Sequence, residues 1–335
     1  MPIGKFLERL FQLVPVLLGV SVIVFLMMAL TPGDPVDIMI GDQQISEAEE
    51  QILRRDLGLD QPLIQRFATF LGNAATGNFG LSFYHRRPVI DVIAERLPAT
   101  IELSLVALLL ALVTAIPLGV LAAVKKNTIF DRLATVGSLL GVSLPGFWFG
   151  ILLLMLFAVH LQILPVSGRI GFTSEVSPIT HFLLIDTLLH GRPDAFLDAL
   201  SHIILPALTL GLPMTAILMR VTRTSMLEVM RQDYVTFAEA KGLSRKRILF
   251  RHALKNALIP TVSVAAIETG SLLGGNMIVE TVFGWPGLGR LVVESIFVRN
   301  YPLVQAAVLF YAVTYVLLNF VADLLYTLLN PRVKL

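Results

Sequence analysis

The sequence predicts an all-α integral membrane protein, and three observations carry that reading. Of 335 residues, 55% are hydrophobic, 15% are charged and the mean hydropathy is +0.77. A soluble domain carries roughly 25% charge, and this much apolar surface has no place in an aqueous fold. Six stretches reach the ~20 apolar residues that a helix needs to cross a bilayer. They are Leu10–Leu30, Ile101–Val124, Ala134–His160, Ile203–Met219, Leu258–Val282 and Leu303–Leu329. The cations between them are distributed asymmetrically. Sixteen of the 26 Lys/Arg fall at the N-terminus, in 125–133, in 220–257 and in the C-terminal tail; the other ten share their loops with 15 acids. Cytoplasmic loops are the ones enriched in Lys/Arg, so both termini and the 220–257 loop are expected in the cytoplasm.

The elements follow in order. Residues 1–30 form an anchor helix: Lys5 and Arg9 imitate the start of a signal peptide, but the apolar part is too long and ThrProGlyAspPro (31–35) follows it. Residues 31–100 make an outer loop. Within it, Ser46 caps an acid-rich start at 46–50 and Gly58 stops that helix. Residues 62–71 and 88–97 carry helical spacing. They read as short amphipathic helices on the outer membrane face or on partner subunits, or else as a solvated linker. Residues 101–335 hold the core, with a cytoplasmic elbow at 226–257. Pro145, Pro206 and Pro213 interrupt spans and would kink helices around a passage. Gly137/Gly141 and Gly270/Gly274 are four apart, the spacing at which helix backbones approach closely.

The elbow is the most informative stretch. Phe237–Pro260 carries six Lys/Arg and one histidine against the single acid Glu239. Met226–Ala240 reads as a helix ended by Gly242, and Ser244 as the cap of a second helix running through Asn256. Ile248, Leu249, Ala253 and Leu254 form an apolar stripe on that second helix, and Arg245, Lys246, Arg251 and Lys255 take much of the rest. Three readings are open: a basic loop on anionic lipid, a DNA-binding helix-turn-helix, and a docking elbow for a cytoplasmic protein. Lipid retention explains the charge but not two ordered helices. DNA reading needs a domain that can stand clear of the membrane, so no nucleic-acid partner is expected.

Other polar positions are few. Glu268 lies mid-span and belongs either on a translocation path or in a structural hydrogen bond; Asn276, further along, shares the first option. Glu102 and Glu280 are expected nearer the outer face, within reach of water, and Asp323 is expected to accept an interhelical hydrogen bond. Trp285, Pro286 and Gly287, in PheGlyTrpProGlyLeuGly (283–289), read as the lip of an outer gate, a contact for a binding protein, or a rigid turn setting an aromatic at the headgroups. With no cysteine and no histidines at ligand spacing, no metal is expected. His160 and Ser167 flank a proline with no acid partner in sight, so no catalytic residue is expected. No G-x-x-x-x-G-K-[ST] run exists, so any ATPase must be another chain.

Read together, ThrProGlyAspPro (31–35), GlyAsnPheGlyLeuSer (77–82), LeuProValSerGlyArg (164–169), ArgThrSerMetLeuGluVal (223–229), AlaLysGlyLeu (240–243), HisAlaLeuLysAsnAlaLeuIlePro (252–260) and PheGlyTrpProGlyLeuGlyArg (283–290) carry a resemblance. The chain resembles the inner-membrane permease subunits of bacterial dipeptide, oligopeptide and nickel ABC importers. LeuIleAspThrLeuLeuHisGly (184–191) tilts the likeness to the dipeptide branch. The resemblance implies a type I (MetI-like) bundle of six transmembrane helices, multi-pass in the inner membrane. It also implies a second homologous permease, two cytoplasmic ATPase subunits that bind ATP and Mg, and a periplasmic substrate-binding protein; membrane lipid surrounds the bundle and no cofactor sits in this chain. The elbow becomes the ATPase-coupling segment, through Ala238, Glu239, Ala240, Lys241, Gly242, Leu243, Ser244, Arg245, His252 and Asn256. At the spacing of the broader importer pattern, Glu-Ala-Ala then Gly, this chain has Thr236, Phe237 and Ala238 before Gly242. The opening Glu is absent, so a contact made by that Glu does not carry over. An ion-coupled secondary carrier is the alternative class; it needs two half-repeats and midplane charges. Nickel chelates, glutathione and heme precursors are alternative cargoes within the family.

Overall fold

A computed structural model describes residues 3–30, 36, 40, 46–56 and 58–329. The ThrProGlyAspPro run and the side chains of Lys5, Arg9, Gly274 and Asp323 lie outside the described set. The described residues are helical, joined by turns, with one isolated bridge between Leu81 and Pro88.

The helices are α1 (Ile3–Leu30), α2 (Glu47–Asp56), α3 (Leu63–Ala75), α4 (Val89–Val124), α5 (Ile129–Ser143), α6 (Gly146–His160), α7 (Leu183–Leu189), α8 (Pro193–Val229), α9 (Asp233–Ala240), α10 (Leu254–Gly275), α11 (Met277–Val282), α12 (Leu288–Phe297) and α13 (Tyr301–Leu329). Among the described residues, α4, α8 and the stretch Tyr301–Val321 of α13 are long and apolar enough to cross a membrane. The bent pair α5–α6 makes a fourth if it counts as one span. Val14–Leu30 is a shorter apolar helix, and α10, which carries Glu268, falls outside that set.

Four expectations change here. Residues 88–97 are not a separate surface helix: they are the first turns of α4, which runs across the division at 100. Nothing at Pro98 stops it, because a proline removes one hydrogen bond that packing on both sides outweighs. The span 134–160 is not continuous, and α5 and α6 meet at 105°. Leu144 is extended there (φ −84°, ψ 134°), as the residue before a proline prefers, and Pro145 precedes α6. Pro206 and Pro213, in contrast, lie within the uninterrupted helix α8. The helix expected at 226–240 is divided by a turn at 230–232, where Gln232 is extended (φ −76°, ψ 147°).

The helix start at Ser46 is as expected. The Glu49 backbone N–H donates to Ser46 Oγ at 3.3 Å, and Glu49 Oε2 accepts from the Ser46 N–H at 2.9 Å, a reciprocal cap. Helix α3 lays Phe67 and Phe70 on Phe25 of α1, with ring centroids 5.3 and 5.9 Å away.

The core is the seam between α4 and α8, lined by Leu103, Ala107, Ala111, Ala115, Ile203 and Leu218. Alanine on one side and glycine at the crossings allow the backbones to close up. A Cβ on Gly119 would stand 2.7 Å from the Met219 carbonyl oxygen and from Thr222 Cβ, and one on Gly211 would stand 3.0 Å from the Ala107 carbonyl oxygen. Because the first obstacle is backbone, Gly119→Ala must push the helices apart. The expected cost is about 1–3 kcal/mol, read as a lowered unfolding temperature of the detergent-solubilised protein. Of the paired glycines, Gly141 meets Ala216 Cβ at 3.1 Å and Gly270 meets Tyr315 at 3.5 Å, whereas Gly137 faces open space in this chain.

At one end of the bundle, Arg223 grips Asp131 with Nε at 2.6 Å and Nη2 at 2.9 Å, pinning α5 to α8. At the opposite end Asp186 of α7 organises the loop before it. Its carboxylate accepts from Thr180 Oγ1 (2.6 Å), the Thr180 N–H (2.8 Å) and the Ile179 N–H (3.2 Å). Burial alone pushes this carboxyl up, but the hydroxyl and backbone donors outweigh burial, and the group sits below the usual carboxylate range. A lowered folded pKa contributes stability above the unfolded value and loses it as pH falls through the folded one. Protection of the 179–186 amides, relative to their intrinsic exchange rates at each pH, should therefore fall below about pH 4 in the wild type. In Asp186→Asn the segment should exchange fast at every pH.

Candidate functional site: the basic elbow and the opposite clasp

The elbow is built by three local devices. Helix α9 ends in a glycine cap: Gly242 has φ +75°, its N–H donates to Glu239 O at 2.9 Å, and the Leu243 N–H donates to Ala238 O at 3.3 Å. That pair of bonds needs a left-handed residue at 242, which glycine supplies without strain. Leu243 then folds back onto Ala238, and both pack with Val235, Ile248 and Met230 in a small core. Ser244 occupies the cap position of the next helical segment, although its hydroxyl makes no capping bond. That segment does not end at Asn256. It runs from Arg245 through a π-helical stretch, Ile248–Ala253, directly into α10.

The apolar stripe of the second segment is buried as expected, with Leu249, Ala253 and Leu254 packed against Met226 and Val120. Arg245, Lys246, Arg251 and Lys255 are exposed. Of the ten predicted coupling residues, Ala238 is buried and Leu243 and His252 are half-buried. Glu239, Ala240, Lys241, Gly242, Ser244, Arg245 and Asn256 are exposed.

Three further residues matter that are not among the predicted coupling residues, although Phe237 occupies a position of the importer pattern. Tyr234, Phe237 and Phe250 stand out from the elbow, both phenylalanines 61% exposed. Lys241 Nζ sits 4.4 Å from the Phe237 ring centroid, and Asn256 Nδ2 donates to Tyr234 Oη at 2.8 Å. The spacing 234, 237, 241 puts a tyrosine, a phenylalanine and a lysine on one face of α9, a signal present in the sequence. The elbow thus offers aromatic knobs in a ring of cations.

The end away from the elbow is a different construction. Trp285, read as a gate lip, a binding-protein contact or an aromatic at the headgroups, has its ring enclosed within this chain: it is 1% exposed and its Nε1 donates to Ala99 O at 2.9 Å. Arg169 lies over its ring at 5.8 Å. Gly287 is buried too, and Pro286 half-buried. Glu280 and Glu102 are likewise enclosed rather than hydrated. Glu280 accepts from Thr100 Oγ1 (2.7 Å) and the Arg290 N–H (2.9 Å), while Thr100 Oγ1 accepts from the Leu288 N–H (2.8 Å). Glu102 accepts from Arg169 Nη2 (2.6 Å) and the Leu184 N–H (2.7 Å). Asn276, expected on a passage, is buried and donates to Ser104 Oγ at 3.0 Å. Tertiary partners up to 188 residues away absorb these polar groups, where local composition pointed to water. Together they clasp the N-terminal half of α4 to α11, α12 and the 164–184 loop.

Glu268 stands apart from both constructions. It is half-buried on α10 and has no hydrogen-bond or ion-pair partner among the described residues. No group of three His, Asp or Glu that could hold a metal ion occurs among the described residues.

A bundle of apolar helices, clasped at one end and carrying a basic, aromatic-studded elbow at the other, has the build of an integral membrane component. The chain belongs to the family described as the binding-protein-dependent transport system inner membrane component, matched over residues 115–335, with the N-terminal part of such components matched over 3–104. It is an inner-membrane permease subunit and not itself an ATPase. Among its relatives it is 45% identical to the di/tripeptide transport system permease protein DppB of Pseudomonas aeruginosa, over 98% of this chain and 97% of that one. It is 43% identical to the dipeptide transport system permease protein DppB of Escherichia coli K12 (98% of each), and 38% to the glutathione transport system permease protein GsiC of the same strain (98% of each). A solved structure of the MetNI methionine ABC transporter, in inward-facing conformations, contains a chain with the same fold. It matches with a TM-score of 0.50 and 17% identity, over 72% of this chain and 97% of that one.

Proposed function

We propose that the chain is one of two related permeases that form the passage of an ATP-driven importer of dipeptides and short peptides. Residues 1–30 anchor it, 31–100 form a periplasmic loop, and 101–335 form the permease core, in six spans with both termini cytoplasmic. Two ATPase subunits, which bind ATP and Mg, dock on the elbow within 226–257, and a periplasmic binding protein delivers the peptide. Closure of the ATPases pushes the elbows and the two bundles rock between inward- and outward-facing packings. The end-to-end similarity to di/tripeptide and dipeptide permeases supports the cargo. The observation that carries the mechanism is the exposed, ordered elbow, capped at Gly242 and presenting Tyr234, Phe237 and Phe250 amid cations.

The test uses the absence of cysteine from the chain. Single cysteines at 239, 241, 245 and 247, all exposed positions, should cross-link to a cysteine in the groove of the partner ATPase. Failure at all four in an assembled, active transporter refutes docking at the elbow. Uphill dipeptide uptake in proteoliposomes should stop when ATP is withdrawn. Uptake that continues on an ion gradient alone identifies an ion-coupled carrier instead.

A further inference from the structure

We infer that Glu268, with the Thr114–Thr215 hydroxyl pair on its level, is a way-station in the passage that receives the positively charged amino terminus of the peptide. The inference rests on the peptide-importer reading and assigns a recognition group to it.

The level of these residues follows from helix register. Helices α8 and α10 run antiparallel on either side of the elbow, and Thr222 Oγ1 meets Thr261 Oγ1 at 3.0 Å near their inner ends. Seven residues outward along each helix, about 10 Å at 1.5 Å per residue, bring Thr215 and Glu268 to one height. Thr215 Oγ1 lies 3.0 Å from Thr114 Oγ1, in a contact open to the outside of this chain. Around α10, Glu268 falls between the stripe of Ala265 and Leu272, buried in the α4–α8 core, and the exposed positions Ile267 and Ser271. Three polar side chains therefore share one layer at the margin of an otherwise apolar wall.

The charge balance names the ligand class. Glu102 and Glu280 are consumed by the outer clasp, whereas Glu268 has no partner among the described residues. No Lys, Arg or His occurs in 101–124, 134–159, 203–219, 258–275 or 303–321, so these segments of the chain supply no counter-charge at that depth. An ionised carboxylate only accepts hydrogen bonds, and an ammonium only donates them. A peptide moving through the passage brings an ammonium to this layer, and the hydroxyls can serve the adjacent amide with either a donor or an acceptor.

The experiment uses the assembled transporter in proteoliposomes with its binding protein and ATP. Dicyclohexylcarbodiimide, which modifies carboxyls in apolar surroundings, should label Glu268, as read by mass spectrometry. Alanyl-alanine under turnover should protect it and N-acetyl-alanyl-alanine should not. Glu268→Gln should lower the maximal rate of alanyl-alanine uptake about tenfold with KM unchanged, and Glu268→Asp should recover most of the loss. Binding-protein-stimulated ATP hydrolysis should persist in Glu268→Gln. Wild-type uptake by Glu268→Gln overturns the inference. So does labelling that peptide does not alter, or labelling blocked with and without peptide, which assigns Glu268 to a cation of the second permease. If Glu268→Gln fails to assemble, the labelling of the wild type decides alone. A wild-type complex that takes up no peptide refutes the importer reading itself.

Discussion

Phe237→Asp is expected to uncouple the transporter while leaving the permease folded. Phe237 is 61% exposed, so the substitution removes little from the chain's own packing; the buried anchors of the elbow are Val235, Ala238 and Ile248. Its ring carries the Lys241 ammonium at 4.4 Å, which holds both side chains in a defined pose. An exposed aromatic held in this way is the type of residue that dominates interfaces. Its loss costs about 2 kcal/mol or more, which weakens association at least ~30-fold. Pull-down of the ATPase subunits by the solubilised permeases should fall accordingly, and ATP-dependent uptake should be lost. Gly242→Ala should have a smaller effect of the same sign, because alanine at φ +75° costs about 1 kcal/mol and loosens the cap. If Phe237→Asp retains full uptake and full ATPase association, the docking face lies elsewhere.

Arg169→Ala is expected to be the most destabilising single substitution at the outer end. Arg169 and Glu102 are 16% and 6% exposed and 2.6 Å apart, and Glu102 also receives the Leu184 N–H. Removing the guanidinium leaves a buried carboxylate with one backbone donor, and an orphaned partner of a buried pair typically costs about 3–5 kcal/mol. The same change strips the cation from the face of Trp285. A lowered unfolding temperature in detergent should be accompanied by faster amide exchange in the 164–184 loop. The double variant Arg169→Met, Glu102→Leu should be closer to wild type than Arg169→Ala, because no charge is then left without a partner.

The sequence specified most of the fold where a pattern is local. The stripe at 248, 249, 253 and 254 predicted which face of the second elbow segment is buried, Ser46 predicted a helix start, and Gly242 predicted a stop. Pro145 marked a break that the structure resolves as a 105° bend. What was illegible depends on distant partners. Trp285 follows the rule for an interfacial aromatic until Ala99, 186 residues away, accepts its N–H. Glu280 resembles a hydrated acid until Thr100 and the backbone of Arg290 enclose it. The turn at 230–232 carries neither glycine nor proline, so nothing local distinguishes it from the helix on either side. At the elbow itself, the motif comparison directed attention to 238–245, while the exposed rings at 234, 237 and 250 lay at its edge.

The absence of any loop between the elbow and α10 has a mechanical consequence. From Arg245 to Gly275 the backbone is helical throughout, and Asn276 and Glu280 of the outer clasp follow immediately. At 1.5 Å per residue this piece is roughly 45 Å long, enough to span the bilayer. On the coupling role proposed for the elbow, a thrust there would travel along one continuous helical rod, past Glu268, to the clasp. Elbow and clasp would then register the same stroke.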